Sequence, residues 1–193
     1  MNIRRQLAVL ALVGIVLGFS MGGFASAQEK YNARLLTRGG PNSEPAIKIQ
    51  LVIESYTTGE EAWRLQQILE MGGFQPFIEA FRESIKGSVI FFGTRGLKIN
   101  IHVAQVIPKE NGRKILLFTE RQAWDTDVLQ RMDGRYPYLV VELDVNNKGK
   151  GEGRIYENAQ IKLTGNREAR KAIMEMESFN SAPKSLFGVS LVK

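Results

Sequence analysis

The chain has no cysteine among its 193 residues, a single histidine, six prolines and two tryptophans. Without cysteine there is no disulfide, no thiolate nucleophile and no thiolate ligand for a metal. A lipid anchor on an N-terminal cysteine is excluded for the same reason. The lone histidine, His102, has no second histidine to complete a His-rich zinc site. None of Ser55, Ser84, Ser88 and Ser178 lies in a G-x-S-x-G elbow, so no serine nucleophile is marked by its surroundings. The G-x-x-x-x-G-K-[ST] spacing that cradles phosphate is missing as well, and no cofactor is expected. The chain also lacks long runs of one charge. Its densest basic stretch, "NNKGKGEGR" at Asn146–Arg154, is interrupted by Glu152. A nucleic-acid binder shows a basic stripe with interleaved aromatics, and none is present, so no nucleic-acid partner is expected.

What is present begins with the N-terminus. Arg4 and Arg5 precede an apolar run from Leu7 to Phe19, and "ASA" at Ala25–Ala27 supplies the small-x-small pattern of a signal peptidase site. The run is about 13 residues long, against the roughly 20 that a spanning helix needs. Residues 1–27 are therefore expected to be a cleaved leader, with retention as an anchor the alternative. The mature chain has no stable transmembrane segment, and its destination is the periplasm or the extracellular space. Removing the leader takes away two of the 26 basic residues and none of the 20 acidic ones, so a net charge of +6 falls to +4. The remaining 166 residues suit one domain with a core of its own.

Residues 28–44 read as a lead-in, with one strand around Tyr31–Thr37 and a turn cluster "RGGPNSEP". Residues 45–193 read as a single α+β domain. Ile47, Ile49, Leu51 and Ile53 alternate with polar residues and Val52, the period of a half-buried strand. The period then changes. Ala62, Leu65, Ile68 and Leu69 share one helical face, and so do Phe74, Phe77, Ile78, Phe81 and Ile85, with Gly72–Gly73 between the two groups. This predicts a helical hairpin near residues 59–86. Strand periods resume afterwards, including Leu97–Ile107 as one strand and Leu139, Val141, Leu143 and Val145 on one face of another. About eight or nine strands with short links favour an antiparallel sheet, as a curved sheet, barrel or sandwich.

Several clusters can be tested for chemistry. Glu60 and Glu61 are neighbours on a helix, point about 100° apart and do not converge on one ligand. Thr58-x-x-Glu61 instead matches a capping box, and both carboxylates meet the positive end of the helix dipole. By alternation His102 falls on the polar face with Lys98 and Asn100. "DVNNKGKGEG" from Asp144 resembles a calcium loop, but its fifth and twelfth positions are Lys148 and Ile155 where oxygen ligands are needed. It reads as a hairpin turn. Trp124, Asp125 and Asp127 in "WDTD" place two carboxylates beside an aromatic in a loop, a candidate site for an ion or a sugar. No metal site is assigned.

The ordered motifs "GGP" (Gly39–Pro41), "YTTGEEA" (Tyr56–Ala62), "GG" (Gly72–Gly73), "GRKILLFTER" (Gly112–Arg121), "YPYLVVELDVNNKGKGEG" (Tyr136–Gly153) and "A-x-I-K-L" (Ala159–Leu163) span most of the mature chain. Together they resemble a group of small exported bacterial proteins of Acidobacteria-like genomes whose function is unknown. The resemblance implies export and one domain. It carries no catalytic residue, cofactor or substrate with it.

The expected function is a non-catalytic periplasmic or secreted binding protein. A curved sheet with an amphipathic helix pair can enclose an apolar ligand, with Ile99, Ile101, Leu139, Val141, Phe77 and Phe81 as the candidate lining. One alternative is a hydrolase of cell-envelope or sugar substrates working through Asp125, Asp127 and Glu142. The other is a structural or interaction module of the envelope that docks a partner through strand edges or the helix pair.

Overall fold

A computed structural model describes residues 28–36, 46–93, 96–120 and 138–192. The leader at 1–27 and the "WDTD" cluster with Trp124, Asp125 and Asp127 lie outside the described residues. Ten strands and two helices follow in chain order. They are β1 (Glu29–Leu35), β2 (Ile47–Ile53), α1 (Gly59–Gly72), α2 (Phe74–Glu83), β3 (Gly87–Phe92), β4 (Leu97–Ile101) and β5 (Val103–Lys109). Then come β6 (Gly112–Glu120), β7 (Tyr138–Asn146), β8 (Lys150–Asn166), β9 (Lys171–Phe179) and β10 (Lys184–Val192). The fold is α+β, an antiparallel sheet with one inserted helical hairpin, as the patterning predicts.

The strands lie in the order β4-β3-β2-β1-β10-β8-β7-β6-β5, and every pairing is antiparallel. The sheet is open in its pairing but strongly curved. Its two ends, β4 and β5, are separated in the chain by His102 alone. The His102 N–H donates to the Phe118 carbonyl at 2.9 Å where β4 passes β6. Curvature brings one face of nine strands around a common inner core, from Tyr31 and Leu51 through Ile101 and Leu117 to Val141, Ile155 and Leu186. Period-two alternation produces this directly, because successive side chains of a strand point to opposite faces. On β7, Leu139, Val141, Leu143 and Val145 face inward, while Tyr138 and Val140 belong to a second core on the outer face.

That second core lies between the sheet and the helical hairpin. Leu65, Phe77, Ile78 and Phe81 of the helices meet Val103, Leu116, Phe118, Val140, Tyr156, Ala159 and Met174. The hairpin starts as its sequence predicts. Thr58 Oγ1 accepts the Glu61 N–H at 3.1 Å and Glu61 Oε2 accepts the Thr58 N–H at 2.8 Å, a complete capping box. Gly73 closes α1 at φ 78°, its N–H donating to the Leu69 carbonyl at 3.1 Å. Trp63 packs with Ala62, Ala172 and Leu163. It lies so close to β8 that a Cβ at Gly165 would come within 2.8 Å of its ring.

The strand expected in the lead-in is β1, which sits inside the sheet between β2 and β10. One placement differs from the sequence reading. The strand read as continuous from Leu97 to Ile107 is broken at His102, and its phase flips there. Ile101 and Ala104 face the inner core, whereas Val103 faces the outer one. Local alternation cannot reveal such a flip, because one extra residue exchanges the two faces without changing composition.

Candidate functional site

β8 is long enough to have two sets of neighbours. β7 pairs with it from Gly151 to Ala159, and β9 pairs with its far half from Ala159 to Asn166. The far half therefore runs past the end of β7 as a hairpin. Its strand β9 passes over the outer face and approaches β5, where the Met174 N–H donates to Gln105 Oε1 at 3.2 Å. Among the described residues, β5 pairs with β6 alone and β9 with β8 alone. Gln105 shares the outer face of β5 with Val103, so its side chain joins that face to the strand lying over it.

The space between them is a groove of about 410 Å³. Ile107 and Leu116 form one wall, Ile173, Met174 and Met176 the other, and Thr57 and Gly59 stand at one end. Thr57 also covers the start of the β5 edge. Its N–H donates to the Ala104 carbonyl at 2.7 Å and its Oγ1 accepts the Ala104 N–H at 3.0 Å. Lys114 and Glu142, paired at 3.2 Å, line this groove and also a second one of about 580 Å³ on the same outer face. The second groove is polar, with Asp144, Glu152 and Arg154 on its floor and Phe187 at its side. Its charges are laid out by register. Lys114 stands opposite Asp144, Glu142 opposite Arg154, and Asp144 opposite Glu152. Lys109 also pairs with Asp144. The arrangement is amphipathic, an apolar cleft continuing into a charged one.

A second constellation closes one end of the inner core. Glu29 Oε2 accepts from Arg113 Nη2 at 2.7 Å, from the Tyr56 hydroxyl at 2.9 Å and from the Tyr31 hydroxyl at 3.0 Å. Arg113 Nη2 also donates to the Tyr31 oxygen at 2.7 Å. Burial, aided by the Glu29 charge, pushes the Tyr31 phenol up to about 12 and the Tyr56 phenol higher still. Three donors from three chain segments converge on one carboxylate oxygen. The group joins the first residue of β1 to β6 across the core, and its polar atoms satisfy one another.

The structure separates the six residues expected to line one pocket. Ile99, Ile101, Leu139 and Val141 lie in the inner core, and Phe77 and Phe81 lie in the outer one, on the opposite face of the sheet. Glu142 is in the grooves. His102, read from alternation as sitting on the polar face, is buried at 7 % exposure. Its Nδ1 lies 2.8 Å from the Ser84 carbonyl, which can only accept, so the proton is on Nδ1. The ring packs against Phe81, 4.9 Å between centroids. Burial lowers its pKa. Asn146 Oδ1 accepts the N–H groups of Lys148 and Lys150, at 2.9 and 3.1 Å, and Gly149 adopts φ 71°. The stretch resembling a calcium loop is therefore a hairpin turn.

Sequence reasoning did not single out Gln105, Lys114, Ile173 or Met174. The one signal available was the run Met174–Glu177, in which methionines and glutamates alternate. Among the described residues no helix is long and apolar enough to cross a membrane, and no three His, Asp or Glu side chains could together hold a metal ion. The chain matches no protein-family model, no curated protein and no solved structure.

Proposed function

We propose that this is an exported, non-catalytic binding protein whose ligand, a small apolar molecule or an envelope component, occupies the amphipathic groove of the outer face. The observation that carries this reading is the groove itself. It leaves apolar side chains of β5, β6 and β9 accessible beside the Lys114–Glu142 pair. Recognition sites commonly join an apolar lining to a few placed polar groups in this way. Export rests on the leader pattern and is checked separately by cell fractionation with N-terminal sequencing, which should begin at Gln28. For binding, native mass spectrometry of protein purified from its own envelope should detect a retained mass. Titration with small apolar probes should shift the backbone amides of Ile107, Leu116 and Met174. A bare protein whose groove amides do not respond to any probe would end this reading.

A hydrolase is the second reading, supported by Glu142 and Asp144 on the same face of β7 in the larger groove. Two residues apart on a strand they are spaced about 7 Å, within the range glycoside cleavage uses. It ranks second because each carboxylate is already engaged by a lysine. Envelope-polysaccharide hydrolysis that disappears in Glu142→Gln would promote it.

A further inference from the structure

One end of the inner core is closed by the polar Glu29 group. The opposite end, where β1 and β3 finish and β2, β4 and β10 begin, is apolar. Its last inward side chains, Ile47, Phe91 and Leu97, pack on the core but stay partly exposed. By alternation Leu36 and Phe92 turn outward there, and they are 50 % and 54 % exposed. Just behind this end, register sets a row across the outer face. Arg34 stands opposite Lys48, Lys48 opposite Phe92, and Arg34 opposite Phe187, which is 42 % exposed. Lys98 follows one row behind, beside Ile90. Like charges placed directly opposite each other destabilise a sheet. Yet among the described residues Arg34, Lys48 and Lys98 meet no carboxylate. The grooved part of the outer face is built differently, since Lys109 and Lys114 there hold Asp144 and Glu142. The outward positions of β1 to β4 and of β10 carry Lys30, Arg34, Lys48 and Lys98 and not one carboxylate. An apolar end thus wears a collar of one sign.

We infer that this end of the sheet docks on an anionic phospholipid bilayer. Leu36 and Phe92 enter the interface, and Arg34, Lys48 and Lys98 meet the headgroups around them. The surface is separate from the groove beneath β9 and acts with or without a ligand there. Interfacial binding adds the burial of apolar side chains to the attraction of cations for anionic lipids, and this end supplies both. The collar lies within two or three residues of the strand ends, so long lysine and arginine side chains can stay at headgroup depth while the tip is buried. A soluble polyanion answers the cations alone and leaves Leu36 in water, with no ring on which a base or sugar could stack. The net charge of +6 draws the whole chain toward an anionic surface before contact.

The test uses the full chain with vesicles of phosphatidylcholine alone and of phosphatidylcholine mixed equally with phosphatidylglycerol. The chain has no cysteine, so one introduced cysteine carries one environment-sensitive dye. Gly93→Cys places it at the apolar end, where a Cβ meets nothing within 4 Å. Asn111→Cys places it in the β5–β6 turn, at the end closed by Glu29 and Arg113. With the mixed vesicles the dye at 93 should shift to the blue and the dye at 111 should not. A leader that bound lipid by itself would not distinguish the two positions. Arg34→Gln combined with Lys48→Gln should weaken the response about thirtyfold, and Phe92→Ser about tenfold. The double variant should melt no lower than the parent, because it removes a like-charge pair, so its loss of binding is not a loss of fold. Added salt should weaken binding to the mixed vesicles. An equal response to phosphatidylcholine alone overturns the inference, as does a shift at both dyes or at neither. A shift at 93 that dextran sulfate produces as strongly as the vesicles also overturns it, since a soluble polyanion is then the occupant. So does self-association that Phe92→Ser abolishes, which makes a second copy the occupant.

Discussion

The two faces of this sheet carry different kinds of core. On the inner face, nine strands contribute to one cluster, and its main polar group, around Glu29, is satisfied within itself. On the outer face, the sheet is only partly covered. The helical hairpin and the overhanging β9 bury Val103, Phe118 and Val140, while the same strands continue into open grooves at Ile107, Lys114 and Glu142. The inner core belongs to the sheet alone. The outer core is shared between a sheet and two insertions, and the place where the cover stops is where a ligand can enter. The difference teaches that a molecule of this build can keep one face for stability and leave part of the other for recognition.

The sharpest way to break this comparison is to truncate one large side chain on each face. Phe81→Ala removes a fully buried ring from the outer core and should cost about 3–5 kcal/mol, and Leu117→Ala in the inner core about 2–5 kcal/mol. Their patterns should differ. Hydrogen exchange in Phe81→Ala should accelerate first in α1 and α2 while β1, β2 and β3 stay protected, whereas Leu117→Ala should expose the sheet as a whole. Equal acceleration everywhere in both variants would show that the two cores are one cooperative unit.

A smaller effect should come from the polar closure of the inner face. Arg113→Ala leaves Glu29 with only its phenol donors in a partly buried site and should cost roughly 1–3 kcal/mol in chemical denaturation. An unchanged midpoint would mean that the Glu29 group merely decorates the end of the core.

The smallest effect concerns His102, where the two faces exchange. Its pKa in the folded chain lies below the ordinary value of 6.5, through burial and despite the Ser84 carbonyl and the Glu120 charge, with Arg82 nearby also lowering it. The unfolded chain therefore binds the proton more readily. The stability this group contributes is complete above pH 6.5 and declines as the pH falls through 6.5 toward the lowered value. As the only histidine, it can be isolated by difference, and the denaturation midpoint of His102→Gln should fall less than that of the parent chain between pH 7 and 5.5. Parallel curves would show that the imidazole titrates freely.

Much of the fold was legible. Thr58 and Glu61 announce a helix start because capping depends on spacing within four residues. Ile47–Ile53 and Leu139–Val145 announce strands because alternation is local. Less of the site was. Gln105, Ile107, Ile173 and Met174 come together only because β8 outruns β7 and carries β9 back over the sheet, a contact between residues 69 positions apart. Phe77 and Ile99 look alike as buried apolar residues, and nothing local assigns them to opposite faces.

The sequence by itself determined where helices and strands begin, which side of each is apolar, and that neither thiol chemistry nor a His-rich metal centre is available. These properties depend on residues a few positions apart, or on composition alone. The tertiary structure decided that β1 lies inside the sheet, that the strand phase flips at His102, and that β9 comes back over the outer face beside an open groove. Each depends on which distant segment supplies the hydrogen bonds. A strand's pattern shows that it needs a neighbour, and only the folded chain shows which neighbour it has.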